Sequence, residues 1–187
     1  MTPEDIEYIV VHCSATRPSM DIGAAEIRRW HTSPDPNDPS KPWRDIGYHY
    51  VIRRDGTIEP GRTLTQAGAH AAGVNYQSWG VCLVGGVRED NRFVAEDNFT
   101  AAQMNALEEV LFLLTEKAPG AQVLGHRDLP GVAKACPSFD ARAWWARELE
   151  PPPPVVTPPE PSPEPKPSAR VNLFTRLFSG LRRLLGL

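Results

Sequence analysis

Apolar positions in this chain fall in short clusters separated by Gly, Pro and polar punctuation. IEYIVVHC (6–13) is nearly continuous in apolar residues, the pattern of a strand covered on both faces, and His12 stands at its end. Ile22 to Trp30 reads as a short helix, and TSPDPNDPSKPW (32–43) is so dense in breakers that it predicts a loop. GYHYVI (47–52) reads as a strand; Arg-Asp-Gly-Thr then turns the chain into TIEP (57–60), which predicts a hairpin. WGVCLVGG (79–86) is a second buried strand. Thr100 and Gln103 have the spacing of a capping box and open a helix that runs to about Lys117. QVLGH (122–126) is a short strand and SFDARAWWAREL (138–149) a closing helix. Strands that interleave with helices predict an α/β fold, a central mixed β-sheet flanked by α-helices.

Composition divides the chain. Ten of its twenty prolines lie between Pro151 and Pro167, a segment suited to neither helix nor sheet. The expected organisation is a domain over 1–150, a Pro-rich linker over 151–168 and a tail over 169–187. At about 3.1 Å per residue an extended linker of this kind spans roughly 50 Å. Net charge is −3, which gives no reason to expect nucleic acid as a partner. The average hides an asymmetry: residues 1–168 hold 16 basic and 23 acidic residues, whereas the last nineteen hold four arginines and no acid.

Drawn as a helix, the tail gathers Val171, Leu173, Phe174, Leu177, Phe178, Leu181, Leu184 and Leu185 within an arc of about 160°. Arg176, Arg182 and Arg183 fall opposite, with Asn172, Thr175 and Ser179. This basic amphipathic pattern predicts attachment to an anionic membrane surface; docking on a partner, a second copy or its own domain are the alternatives. The start of the chain lacks a basic segment followed by a long apolar one, so no signal peptide is expected. No run of about eighteen apolar residues predicts a membrane span. Synthesis in a reducing cytoplasm is therefore expected, with a separate route out if the target lies outside. Cys13, Cys82 and Cys136 are too few and too scattered for a disulfide framework.

The stretch GHRDLPGVAKACPSFD (125–140) brings a histidine, a lysine and a cysteine close together. Zinc takes imidazole nitrogens and thiolates, and a hydrolytic zinc keeps one position open for water. His12, His126 and Cys136 are a candidate set, with the two histidines each at a strand end. Along a strand His12 and Cys13 should face opposite ways. No compact CxxC or HExxH spacing accompanies them, so two readings remain beside zinc: a Cys/His nucleophile with Lys134 lowering the thiol pKa, and an ordinary buried thiol. Cys13 and Cys82, in apolar strands, are expected to be inert core, and His31, following a helix, to be solvated.

VVHCSAT (10–16), GYHYVIRRDGTIEPGR (47–62), GAHAAGVNYQSWGVCLVGG (68–86) and AKACPSFD (133–140) occur here in one order. Together they resemble the type 2 N-acetylmuramoyl-L-alanine amidases, a family that includes short phage lysozyme-like amidases and the peptidoglycan recognition proteins. The likeness spans about residues 6–148, and the short phage enzymes resemble it most because KACPSFD is present. The resemblance implies the family's mixed-sheet fold, one zinc ion held by His12, His126 and Cys136, and catalytic roles for Tyr48 and Lys134. It implies hydrolysis of the amide between N-acetylmuramic acid and L-alanine in peptidoglycan. Lys134 would stabilise the oxyanion, and Tyr48 would act in acid/base chemistry or positioning. His70 and Asn75 lie in the family's middle segment, where contact with substrate is expected, or for His70 support of the metal from behind. His49, next to Tyr48, is expected to be structural, and loop 32–43 has no counterpart in the pattern. Within this reading the chain is a phage endolysin, made in the host cytoplasm and acting on the wall after release. Its rivals are a bacterial recycling amidase and a non-catalytic peptidoglycan-binding module, and the latter typically lacks the cysteine. Some phage amidases also bind a polymerase; nothing in this sequence speaks to that partner.

Overall fold

The computed structural model describes residues 1–38 and 42–150. The linker 151–168, the tail 169–187 with its membrane-facing candidates, and positions 39–41 of the proline-rich loop lie outside the described residues. Chain order is β1 (Tyr8–Cys13), α1 (Ala24–Thr32), β2 (Tyr50–Ile52), β3 (Ile58–Pro60), β4 (Ser78–Leu83), α2 (Ala101–Lys117), β5 (Gln122–Gly125) and α3 (Ala141–Glu148). The five strands form one sheet in the order β3-β2-β4-β1-β5. All neighbours are parallel except the hairpin β2–β3. This is the mixed sheet with flanking helices that the pattern predicts.

The near-continuous apolar runs belong to β1 and β4, which pair in register from Tyr8↔Ser78 to Cys13↔Leu83. A parallel strand buried on both faces cannot alternate apolar with polar, hence the run. Ile9 and Val11 share one face with Trp79, Val81 and Leu83, under Leu107, Leu111 and Leu114 of α2 and Trp145 of α3. On the other face Cys82 and Val51 pack against Ile22, Ala24 and Ile27 around α1, and Val10 and Leu124 meet Ala71 and Leu129.

The capping box at Thr100 forms: its hydroxyl accepts from the Gln103 N–H at 3.1 Å. Gln103 is fully buried, and its amide also donates to the carbonyls of Ile52 and Val84, which pins the start of α2 to the ends of two strands. The strands are shorter than the pattern suggests, and in β2 and β4 the reason is visible. β4 ends at Leu83 because Gly85 and Gly86 take φ of 126° and 97°, outside any strand conformation. Residues 47–49 make single backbone bonds to Ala69, Arg62, Gly61 and Gly80 rather than a ladder, so Tyr48 precedes β2 instead of lying in it.

Candidate metal centre

His12 is the penultimate residue of β1, on the face opposite Val11, and is 2% exposed. β5 is hydrogen-bonded to β1, so His126, opening the 3-10 turn directly after β5, arrives beside it. Asp128 fixes that turn by accepting from the Gly125 N–H at 2.8 Å. The loop carrying Cys136 is tied on twice: Arg127 N–H donates to the Cys136 carbonyl at 2.8 Å, and Cys13 N–H donates to Cys136 Sγ at 3.2 Å. One ligand atom from each of His12, His126 and Cys136 lies within 4.8 Å of the others, and Cys136 Sγ is 3.8 Å from His12 Nδ1. Ligand atoms around tetrahedral zinc stand about 3.3–3.8 Å apart, given bonds of about 2.0–2.3 Å, so small side-chain shifts would close this triangle on one ion.

The electrostatics suit a dication. Burial first, then His70, His126 and Lys134, holds His12 well below the usual imidazole pKa. Burial and Lys134 lower His126 as well. Both rings are therefore neutral with a free lone pair. The adjacent Cys13 side chain and burial raise the Cys136 thiol, against the pull of the Cys13 backbone N–H. A thiolate there needs a positive charge beside it, and a metal ligand must be deprotonated.

Around this triad stand the other predicted residues. Tyr48 packs its ring 5.2 Å from His12. Burial, then the thiols of Cys82, Cys136 and Cys13, raises its pKa well above 10, so the phenol keeps its proton and is a donor. Lys134 is exposed and lines a cleft of about 490 Å³ with Trp43, His70, Asn75 and His126. Asn75 spends its side-chain oxygen on the N–H groups of His70 and Ala71, both at 2.9 Å. His70 turns Nδ1 to within 3.0 Å of His12 Nε2 and buries Nε2. His49 has the structural role expected of it: Nδ1 accepts from Gly80 N–H at 2.9 Å, and Nε2 lies 3.0 Å from the Gln66 carbonyl.

Two expectations need correction. His31 is not a solvated ring: its Nδ1 accepts from Gly47 N–H at 3.0 Å and its ring packs 4.6 Å from Trp43, because the end of α1 leans on the segment that carries Tyr48. Cys13 is buried but not mere core filling, since its N–H and thiol border Cys136 and Ser138. Arg62 was not singled out by the sequence. Its guanidinium donates to the carbonyls of Ile46 at 2.6 Å and Ala67 at 2.5 Å, joining the segments that lead to Tyr48 and His70. It closes the quoted stretch 47–62, but nothing local marks an arginine as a brace. Trp43, last residue of the unmatched loop, stands on the cleft wall.

The sequence profile of N-acetylmuramoyl-L-alanine amidase matches residues 2–139. The chain belongs to this amidase family. It is 46% identical over 144 residues to the endolysin of Escherichia phage T7, covering 77% of this chain and 88% of that one. The endolysin of Enterobacteria phage T3 is 47% identical over 141 residues, covering 75% and 86%. Among solved structures, the N-acetylmuramoyl-L-alanine amidase LysC from Clostridium intestinale URNW superposes with a TM-score of 0.61 at 25% identity, over 78% of this chain and 85% of that one. The amidase fold thus accounts for the mixed sheet and its flanking helices. Among the described residues, no helix is long and apolar enough to cross a membrane.

Proposed function

We propose that this amidase is a zinc-dependent hydrolase of the bond between N-acetylmuramic acid and L-alanine, acting as a phage endolysin on the host wall after synthesis in the cytoplasm. The observation that carries the reading is the convergence of His12, His126 and Cys136 at a cleft lined by Lys134. Held by these three residues, a zinc ion would keep a fourth position open, as hydrolytic rather than structural zinc does. The chemistry that zinc supplies when bound is polarisation of the scissile carbonyl and a water with its pKa drawn toward about 7.

The chain's own residues do the rest. His12 and His126 are kept neutral by burial and so present lone pairs, while Cys136 supplies the sulfur. Lys134 offers a cation to the oxyanion that develops as the carbonyl is attacked, an interaction stronger in the transition state than in the ground state. Tyr48 keeps its proton and acts as donor or acid, orienting the reacting oxygen or protonating the leaving amine. The tail over 169–187 is proposed to hold the enzyme at an anionic bilayer, a reading supported by its apolar and arginine faces.

The test pairs metal content with amide cleavage on purified sacculi for wild type and Cys136→Ala, following new amino groups and separated glycan strands. About one zinc per chain, lost together with cleavage in the variant, is the expected result. Cleavage without zinc would revive the cysteine nucleophile. Zinc without cleavage would make the protein a binding module. Removing 169–187 should leave cleavage of purified wall unchanged and weaken binding to anionic vesicles; equal vesicle binding would end the membrane reading.

A further inference from the structure

His70 is half-buried, and its two ring nitrogens have different surroundings. Nδ1 lies 3.0 Å from His12 Nε2, with the two rings edge-on at 82°. Nε2 is buried and, among the described residues, makes no well-formed hydrogen bond, with the Ser78 backbone acting on the ring. A buried polar atom without a well-formed hydrogen bond is costly, so a ring held in this pose needs a reason. The pose is built from several sides. Asn75 clamps the backbone N–H groups of residues 70 and 71. A Cβ on Gly80 would sit 2.6 Å from the His70 ring, and one on Gly68 would collide with it too. Two glycines thus clear the space that the imidazole fills, one of them in the middle of β4.

We infer that His70 is a positioning residue for the metal centre, its Nδ1 accepting a hydrogen bond from His12 Nε2–H so that His12 offers Nδ1 to the metal. This rests on the zinc reading above. The opposite edge of the His12 ring fits that assignment: Nδ1 is the atom that faces Cys136 Sγ at 3.8 Å. A neutral imidazole carries one proton. Placed on Nδ1 it would point at the sulfur and block the ligand position; placed on Nε2 it needs an acceptor, and His70 Nδ1 is the acceptor within reach. The same bond fixes the plane of the His12 ring about its side-chain torsions. His70 then carries its own proton on the buried Nε2. Both nitrogens of His70 are thereby withdrawn from substrate, although the residue still lines the cleft.

The experiment measures zinc affinity of the full chain by competition with a chromophoric chelator, for wild type, His70→Leu and His70→Asn. Asparagine places its side-chain oxygen near where imidazole Nδ1 stands and can accept the same bond. Loss of such an outer partner weakens metal binding about 10- to 100-fold. The expected result is a loss of that size in His70→Leu and recovery to within about threefold of wild type in His70→Asn. Equal affinity in all three proteins, or equal loss in both variants, would overturn the inference, the second outcome meaning that only packing was disturbed. Long-range 1H–15N correlation on zinc-loaded wild type needs no variant: a His12 ring protonated at Nε2 is expected, and a ring protonated at Nδ1 overturns the assignment. Wild type that takes up no zinc would instead sink the zinc reading itself.

Discussion

Val11 and His12 are consecutive in β1 and face two different environments. Val11 looks into a layer of Ile9, Trp79, Val81 and Leu83 sealed by α2 and α3, in which every one of these side chains is 1% exposed or less. His12 looks toward Tyr48, His70, His126 and Cys136, which come from loops and strand ends. The first face is held by contacts that have no preferred direction, so size and shape are what matter there. The second is held by directed hydrogen bonds: Gly47 to His31, residues 70 and 71 to Asn75, Gly125 to Asp128, and Arg127 to Cys136. One sheet thus separates the work of staying folded from the work of holding a reactive geometry, and substitutions should sort by face.

The largest effect should come from Cys136→Ala. If Cys136 holds the metal as proposed, amide cleavage on sacculi should fall by about a thousandfold or more, the worth of several kcal/mol of Lewis-acid stabilisation. The sheet-sealing layer is untouched, so the far-UV circular dichroism should be unchanged; a collapsed spectrum would mean that the site also holds up the fold. Next is Leu111→Ala, on the other face and fully buried. Urea unfolding should show a loss of about 2–5 kcal/mol, with cleavage per folded molecule unaltered. If turnover fell in parallel with stability, the separation of faces would be wrong.

Lys134→Met keeps length and removes charge. Because Lys134 is exposed at the cleft, stability should barely move while kcat drops about a hundredfold, the cost of losing the proposed oxyanion partner. A change confined to KM would show that Lys134 merely binds substrate.

The smallest effect concerns pH. Burial lowers His49 to about 4 in the folded protein, against about 6.5 in the unfolded chain. Between these values the unfolded chain binds the proton and the native one does not, so stability falls as pH drops through this window. From pH 7 to pH 5 this group alone should cost about 2 kcal/mol. The difference in urea stability between wild type and His49→Gln across that range isolates the term, and a pH-independent difference would remove His49 from it.

Much of the scaffold is legible without coordinates. The two uninterrupted apolar runs, the Asp-Gly hairpin turn and the Thr100–Gln103 capping box each encode their element within a few residues, because period and turn chemistry are local. The ends of β2 and β4 are less legible: Gly85 and Gly86 are compatible with a strand until their φ values are known. His12, His126 and Cys136 could be nominated as a set, and the family likeness made the set specific.

What the amino-acid sequence determines by itself is which residues can do chemistry and which segment carries each of them. What tertiary structure decides is which atoms meet. His12 and Cys136 are 124 positions apart, and only the sheet order, with β5 beside β1, brings the loop after β5 back onto the end of β1. The service of His31, Arg62 and Asn75 as braces, and the use of His70 Nδ1 toward His12, depend on the same long-range placement. Hydrogen bonds decline steeply with distance and angle, so no local pattern can specify partners that only the assembled sheet brings within 3 Å.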